Sequence, residues 1–104
     1  MSDKPVILVV DDDAPILLLM KNLLREFGFD TVVAASGDEA IDKARSVRPS
    51  LMLLDKNMPG MNGDEVIRIL RDDAALAHLP ILILSGEPVS KSELASLGAN
   101  GAVQ

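Results

Sequence analysis

The sequence predicts an α/β protein in which helices pack on both faces of a parallel sheet. Short runs of aliphatic residues alternate with longer amphipathic stretches along the 104-residue chain. The aliphatic runs are continuous, which is typical of strands buried on both faces, and short loops join them to the helices. Alternating strands and helices form right-handed βαβ units. Because no linker, repeat or low-complexity tract interrupts the pattern, we expect one doubly wound domain over residues 1–104.

The first strand sets the pattern for the others. Val6–Val10 is a run of five aliphatic residues, and three consecutive acids, Asp11, Asp12 and Asp13, stop it. The later runs are similarly short, and polar, small or turn-forming residues follow them. The predicted strands are Val6–Val10, Thr31–Ala35, Leu51–Leu54, Ile81–Leu84 and Gly101–Gln104.

The stretches between the strands carry apolar residues at helical spacing. Pro15 suits the first turn of the first helix, with Asp13 as an expected capping acid, and Gly28 provides a stop. The later helices follow the same periodicity. The predicted helices are about Pro15–Phe27, Asp38–Ser46, Asp64–Asp73 and Ser90–Leu97.

The composition excludes several classes of function. Ten Lys and Arg residues against 16 Asp and Glu residues give a net charge of −6, which disfavours binding to a phosphate backbone or to an anionic membrane surface. Cys, Trp and Tyr are absent, so thiol chemistry, disulfides and extended base-stacking surfaces are excluded. No signal-peptide pattern is present, and no apolar run approaches the ~20 residues that span a bilayer. We therefore expect a soluble cytoplasmic domain without direct nucleic-acid or membrane contact.

Polar residues follow three of the predicted strands, at the ends where α/β sheets bind ligands. Asp11 and Asp12 follow the first strand, Asp55 the third and Ser85 the fourth. If the first and third strands are neighbours, the carboxylates converge and repel, so one of them must be protonated, displaced or neutralised by a cation. Carboxylate oxygens with open positions suit Mg²⁺, and a carboxylate beside it can attack phosphorus. The alternative interpretation is structural: an acid such as Asp13 caps a helix, and Ser85 forms a turn.

Three stretches together resemble the receiver domain of two-component response regulators, over essentially Val6 to Gln104. The acidic run Val9–Asp13 follows the first strand, and Asp55–Gly63 reads Asp-Lys-Asn-Met-Pro-Gly-Met-Asn-Gly. The third stretch, Ile83–Gly86, places a hydroxyl at the end of the fourth strand. The Asp-x-x-Met-Pro-x-x-Asn-Gly pattern, at the proper distance from the acidic pair, is the most specific of these signals.

The resemblance implies a flavodoxin-like (βα)5 fold with strand order 2-1-3-4-5. It also implies a regulatory phosphoacceptor module of a phosphorelay rather than a classical enzyme. Its expected partners are a sensor histidine kinase or phosphotransfer protein, and a downstream effector domain or protein. Its expected cofactor is Mg²⁺.

The family's functional residues map onto matching positions of this chain. Asp55 is the expected phosphoacceptor, and Ser85 is the expected switch hydroxyl that binds the phosphoryl oxygens. Mg²⁺ ligands are expected from Asp12 directly, from Asp11 mainly through water, from Asp55, and from the backbone carbonyl of Asn57. The residues at the positions of Asn57 and Glu87 are expected to tune the lifetime of the phosphoryl group.

The sequence also departs from the family pattern. The family's Lys after the fifth strand and its fifth helix would both lie beyond Gln104, so we expect a C-terminally incomplete receiver domain that lacks the last helix. Ala102 stands where many members carry an aromatic residue, which argues against a Ser–aromatic switch. Lys56 follows the acceptor but is expected to point elsewhere. The segment from Ser85 to Gly98 is slightly short, so the fourth helix is expected to be small or irregular.

Two other functions fit parts of the pattern. A haloacid-dehalogenase-like phosphatase would use Asp11 as the nucleophile and Asp13 as the general acid–base, although Pro15 stands where that family has Thr or Val. A pseudo-receiver would keep the fold as a binding module without phosphorylation. A flavin-binding protein of the same fold is disfavoured, because the loop after the first strand is acidic where a phosphate cradle needs Gly, Ser and Thr.

Overall fold

The computed structural model describes residues 4–58 and 60–103. Five parallel strands form a single sheet in the order β2-β1-β3-β4-β5, and four helices connect them within these residues. The predicted fold class, strand order and lack of a fifth helix are confirmed for the described part of the chain. The elements are β1 (Val6–Val10), α1 (Ala14–Glu26), β2 (Asp30–Ala34), α2 (Gly37–Val47), β3 (Leu51–Asp55), α3 (Gly63–Asp72), β4 (Ile81–Leu84), α4 (Lys91–Leu97) and β5 (Gly101–Val103).

Most boundaries differ from the sequence predictions by at most one or two residues. The strand predicted at Thr31–Ala35 lies one residue earlier, because Asp30 pairs with Val6 in the parallel ladder. β3 includes Asp55, which pairs with Leu84 of β4. Gln104, predicted as part of the fifth strand, lies outside the described residues.

β1 occupies the centre of the core because its side chains alternate between two buried clusters. Leu8 and Val10 pack in the cluster beneath α2 and α3, while Ile7 and Val9 pack in the cluster beneath α1. All four residues are at most 4% exposed. This two-sided burial explains why the sequence of β1 is a continuous aliphatic run rather than an alternating one.

The helices differ in how firmly the core holds them. α3 buries Val66, Ile67 and Leu70 completely, whereas α4 has seven residues and none of them is buried. The small fourth helix is therefore as expected. α1 carries a large share of the exposed apolar side chains, including Leu18 and Leu19.

The capping role expected for Asp13 is wrong in one respect. Asp13 occupies the position before α1, but its side chain makes no capping hydrogen bond. Pro15 removes one of the two backbone N–H groups that such a side chain would bind. By contrast, Ser36 caps α2 by accepting a hydrogen bond from the Glu39 N–H.

Within the described ranges, none of the helices combines the length and apolar character required to cross a membrane.

Candidate functional site

The carboxyl ends of three neighbouring strands bring the predicted site residues to one edge of the sheet. Asp11 directly follows β1, Asp55 ends β3, and Ser85 directly follows β4. Backbone hydrogen bonds extend the ladders to these residues: the Asp11 N–H donates to the Ala34 carbonyl at 3.1 Å and the Ser85 N–H to the Val103 carbonyl at 3.0 Å. The sheet itself therefore fixes the relative positions of the two acids and the hydroxyl.

Three carboxylates form a tight group at this edge. One oxygen from each of Asp11, Asp12 and Asp55 lies within 4.8 Å of the other two. Asp11 is 8% exposed, Asp55 is half-buried and Asp12 is exposed. Asp13 does not belong to this group, although it continues the acidic run in the sequence. The convergence expected from the strand order is thus present for Asp11, Asp12 and Asp55.

Burial and mutual repulsion make the charged forms of these acids unfavourable. Desolvation is the main cause that raises the pKa of Asp11, and the neighbouring Asp12 carboxylate raises it further. The pKa of Asp55 is also raised, mainly by desolvation and then by the charges of Asp11 and Asp12. Backbone N–H groups oppose these shifts, since Asp13 donates to Asp11 Oδ1 at 3.0 Å and Asn57 donates to Asp55 Oδ1 at 3.3 Å. The net result is an excess of negative charge that a cation would offset.

The donor set fits a hard divalent cation. Carboxylate oxygens are the preferred ligands of Mg²⁺, which keeps several waters and binds through one or two carboxylates plus a substrate phosphate. Asp11, Asp12 and Asp55 supply such oxygens from partly open positions. Asn57 is exposed, and its backbone lies beside the Asp55 carboxylate. These residues are the ones that could hold the metal.

Ser85 shares a cavity with the acids but is bonded to its own loop. The cavity has a volume of about 440 Å³ and is lined by Asp11, Asp55 and Ser85 together with apolar side chains from α1, β4 and β5. The Ser85 hydroxyl donates to the Glu87 carbonyl at 2.8 Å and accepts from the Glu87 N–H at 3.2 Å. A role in binding a ligand at Asp55 requires the hydroxyl to leave the Glu87 carbonyl.

Gly63 shapes the site because it has no side chain, which lets two backbone segments approach closely. A Cβ at this position would lie 3.2 Å from the backbone oxygens of both Asp55 and Lys56. The start of α3 can therefore pack directly on the loop that follows Asp55. The Asn62-Gly63 pair belongs to the motif seen in the sequence, and Asn62 also caps α3 through the Glu65 N–H.

The sequence analysis missed an ion pair that involves Lys56, the residue after Asp55. Lys56 Nζ lies 2.9 Å and 3.2 Å from the two carboxylate oxygens of Glu93 in α4. Lys56 thus points away from the acid group, as expected, but its partner was not foreseen. The two residues are 37 positions apart, so no local pattern could have indicated the contact.

Comparisons with known proteins agree with this geometry. The sequence model of the response regulator receiver domain family matches residues 7–104. The DNA-binding response regulator MtrA of Mycobacterium tuberculosis H37Rv is 46% identical over 81 residues, which cover 78% of this chain and 34% of MtrA. The chemotaxis protein CheY of Pseudomonas aeruginosa PAO1 is 39% identical over 100 residues, which cover 93% of this chain and 81% of that protein. The chain therefore spans only about a third of the length of the MtrA relatives.

Solved structures show the same architecture. The chemotaxis protein CheY4 of Vibrio cholerae, crystallised at low pH, superposes with a TM-score of 0.90 at 32% identity, covering 96% of this chain and 85% of that chain. The N-terminal domain of a response regulator receiver protein from Methanoculleus marisnigri gives a TM-score of 0.89 at 29% identity, covering 95% and 82%. With the family match extending over nearly the whole chain, the conclusion is that this protein belongs to the response regulator receiver domain family.

Proposed function

We propose that the chain is the phosphoacceptor module of a two-component phosphorelay. Asp55 accepts a phosphoryl group from a phosphohistidine of a sensor kinase or phosphotransfer protein in a reaction that depends on Mg²⁺. The observation that carries the proposal is the position of the Asp55 carboxylate at the end of β3, grouped with Asp11 and Asp12 within 4.8 Å. Membership of the receiver family supports the same assignment.

The transfer forms one bond and breaks one. A carboxylate oxygen of Asp55 attacks phosphorus while the bond from phosphorus to the donor imidazole nitrogen breaks, and that nitrogen takes up a proton. The Asn57 N–H, which donates to Asp55 Oδ1, holds the carboxylate in orientation. When bound by Asp11, Asp12, Asp55 and the Asn57 carbonyl, Mg²⁺ would offset the negative charge on the phosphoryl oxygens.

Ser85 is the proposed hydroxyl donor to the phosphoryl group. It lines the same cavity as Asp55, so a short rearrangement of its loop brings the Oγ from the Glu87 carbonyl to the new oxygens. The side chains of Asn57 and Glu87 are both exposed, where they can influence the approach of water to the acyl phosphate. Ala102 lacks an aromatic ring, and we propose that switching here does not use a Ser–aromatic pair.

The module is proposed to act through a protein partner rather than through nucleic acid. The phosphorylated state switches contact with a downstream effector domain or protein. The net charge of −6 disfavours direct contact with DNA by these residues, and no membrane contact is proposed. MtrA is described as DNA-binding, but this chain spans only about a third of MtrA. A cytoplasmic location belongs to the same proposal.

Labelling with acetyl phosphate tests the acceptor. In the presence of Mg²⁺, the intact mass should increase by one phosphoryl group, and chelation of the metal with EDTA should abolish the increase. Asp55→Asn should lose the label, whereas Asp13→Asn should keep it, because Asp13 lies outside the acid group. Labelling that persists in Asp55→Asn would overturn the assignment. Turnover of a phosphate ester that is lost in Asp11→Asn but kept in Asp55→Asn would instead favour the phosphatase alternative.

A further inference from the structure

Helix α4 is attached to the domain mainly at its two ends. None of its residues is buried, and its apolar contact with the core comes from the partly buried Leu94 and Leu97. At its C-terminal end, Arg71 Nε donates to the Gly98 carbonyl at 3.0 Å. Towards its N-terminal end, the Glu93 carboxylate receives both hydrogen bonds from Lys56 Nζ. The Lys56–Glu93 pair is therefore a large part of what holds the first turn of α4.

The lysine of this pair is rigidly connected to the acceptor. Lys56 is the next residue after Asp55, and its backbone is held on both sides: its N–H donates to the Leu84 carbonyl at 3.2 Å, and its carbonyl accepts from the Gly63 N–H at 3.3 Å. The groups around Nζ are negatively charged, and Glu93, Asp64 and Glu87 all raise the pKa of Lys56. Lys56 thus draws α4 towards the loop that carries the acceptor.

The glutamate of the pair belongs to a segment that is continuous with the Ser85 loop. Ser90 precedes α4, and its hydroxyl accepts from the Glu93 N–H at 3.1 Å, which fixes Glu93 to the beginning of the helix. Only the short stretch from Ser85 to Ser90 separates the switch hydroxyl from this anchored turn. In the arrangement held by the pair, the Ser85 hydroxyl donates to Glu87 rather than towards Asp55.

We propose that the Lys56–Glu93 ion pair is a tether that holds α4 and the Ser85 loop in the unphosphorylated arrangement. This inference rests on the proposed function, because Ser85 must move towards a phosphoryl group on Asp55. Lys56 is thus a positioning residue that acts through Glu93 and α4 and does not touch the reacting atoms. Loss of the tether shifts the equilibrium towards the arrangement in which Ser85 reaches the phosphoryl oxygens.

The size of the effect follows from the exposure of the pair. The side chains of Lys56 and Glu93 are 29% and 38% exposed, so the pair is only partly screened by solvent. Coupling between such charges changes an equilibrium by about 1.5- to 5-fold. Lys56→Met and Glu93→Gln should each raise the phosphorylated fraction at limiting acetyl phosphate by about that factor. High salt should produce a similar gain in the wild-type protein and little in either variant.

A double-mutant cycle distinguishes the tether from two independent effects. Lys56→Met combined with Glu93→Gln should show no larger effect than either change alone. Lys91→Met is the matched control, because Lys91 is exposed on the same helix and forms no ion pair within the described residues. Amide hydrogen exchange in α4 should quicken in Lys56→Met but not in Lys91→Met.

The outcomes separate this proposal from the assignment of Asp55. If the wild-type protein takes no label at Asp55, the proposed function fails and the tether has nothing to regulate. If the wild-type protein is labelled but Lys56→Met behaves like Lys91→Met, only the tether is overturned. Additive effects in the double variant would also overturn it. A free energy of unfolding that falls by no more than about 1 kcal/mol in the single variants would show that the shift is not a general loss of structure.

Discussion

The Arg71 guanidinium connects three segments of the chain, and its replacement should be among the most damaging single changes outside the apolar core. From α3, its Nη1 donates to the Ala77 and Leu79 carbonyls at 2.9 Å and 2.8 Å, in the connection that leads to β4. Its Nε reaches the Gly98 carbonyl at the end of α4. Its Nη2 donates to Asn100 Oδ1 at 3.1 Å, just before β5. The fixed fork of an arginine is suited to such a set of acceptors.

The cost of losing this network can be estimated from its hydrogen bonds. A bond from a charged donor contributes about 1.5–3 kcal/mol, but water replaces part of it where the site is accessible. Arg71 is half-buried, and Arg71→Met keeps most of the apolar stem while it removes these four bonds. We therefore expect the free energy of unfolding to fall by about 2–4 kcal/mol. For a domain of this size, the melting temperature should drop by about 10–20 °C.

Urea unfolding followed by far-ultraviolet circular dichroism is the appropriate assay, since the chain has no Trp or Tyr for fluorescence. Arg68→Met is the matched control: Arg68 is exposed one turn earlier on α3, and its replacement should change stability by less than about 0.5 kcal/mol. Arg71→Lys should recover less than half of the loss, because one ammonium group cannot span acceptors in three segments. Equal effects of Arg71→Met and Arg68→Met, or full recovery by lysine, would refute the reasoning.

Two further changes test the packing and the charges near the site. Gly63→Ala should lower the free energy of unfolding by about 1–3 kcal/mol, because the new Cβ would press on the Asp55 and Lys56 carbonyls. Gly86→Ala, with open space around its Cβ, should cost less than about 0.5 kcal/mol, and similar costs for the two would contradict this. The pKa of Asp73 lies below 3.8, first because the Ala75 N–H donates to it and then because of Arg45. Since its folded-state pKa is depressed, ionised Asp73 stabilises the protein above pH 3.8, and this contribution is lost as pH falls through the folded-state value. Asp73→Asn should therefore be less stable than the wild-type protein near neutral pH in urea unfolding, and a difference that persists at the lowest pH would contradict the charge effect.

The sequence predicted the sheet and the meeting of the acids because both depend on local signals. A buried parallel strand needs a continuous aliphatic run, and Val6–Val10 and Ile81–Leu84 match the observed β1 and β4. Once such runs are aligned in parallel, the residues that follow them must share one edge, as Asp11 and Asp55 do. The end of β3 was placed one residue short, because the pairing of Asp55 with Leu84 depends on register with another strand.

The features that the sequence did not predict are contacts between distant polar side chains. Lys56 and Glu93 are 37 residues apart, and Arg71 and Asn100 are 29 apart. Polar side chains show no periodic pattern that indicates such partners, because each of these side chains would also be acceptable on a solvated surface. The cap expected at Asp13 did not form, and the missing N–H of Pro15 does not by itself account for this, because the other helix caps all bind the N–H three residues on, which at Asp13 belongs to Ile16.

Of the four described helices, α4 is the one that we expect to respond most readily to a change of charge at Asp55, because few buried contacts hold it. Fully burying a Leu or Ile side chain stabilises a helix on its core by about 1.5–3 kcal/mol, and α3 has three completely buried apolar residues. A partly exposed ion pair contributes only about 0.2–1 kcal/mol, and α4 has one such pair near its start. A phosphoryl group adds about one further negative charge at neutral pH, and its interaction energy with nearby groups is comparable with the energy that holds α4. We therefore expect the charge state of Asp55 to alter the position of α4 while the helices with buried faces stay in place.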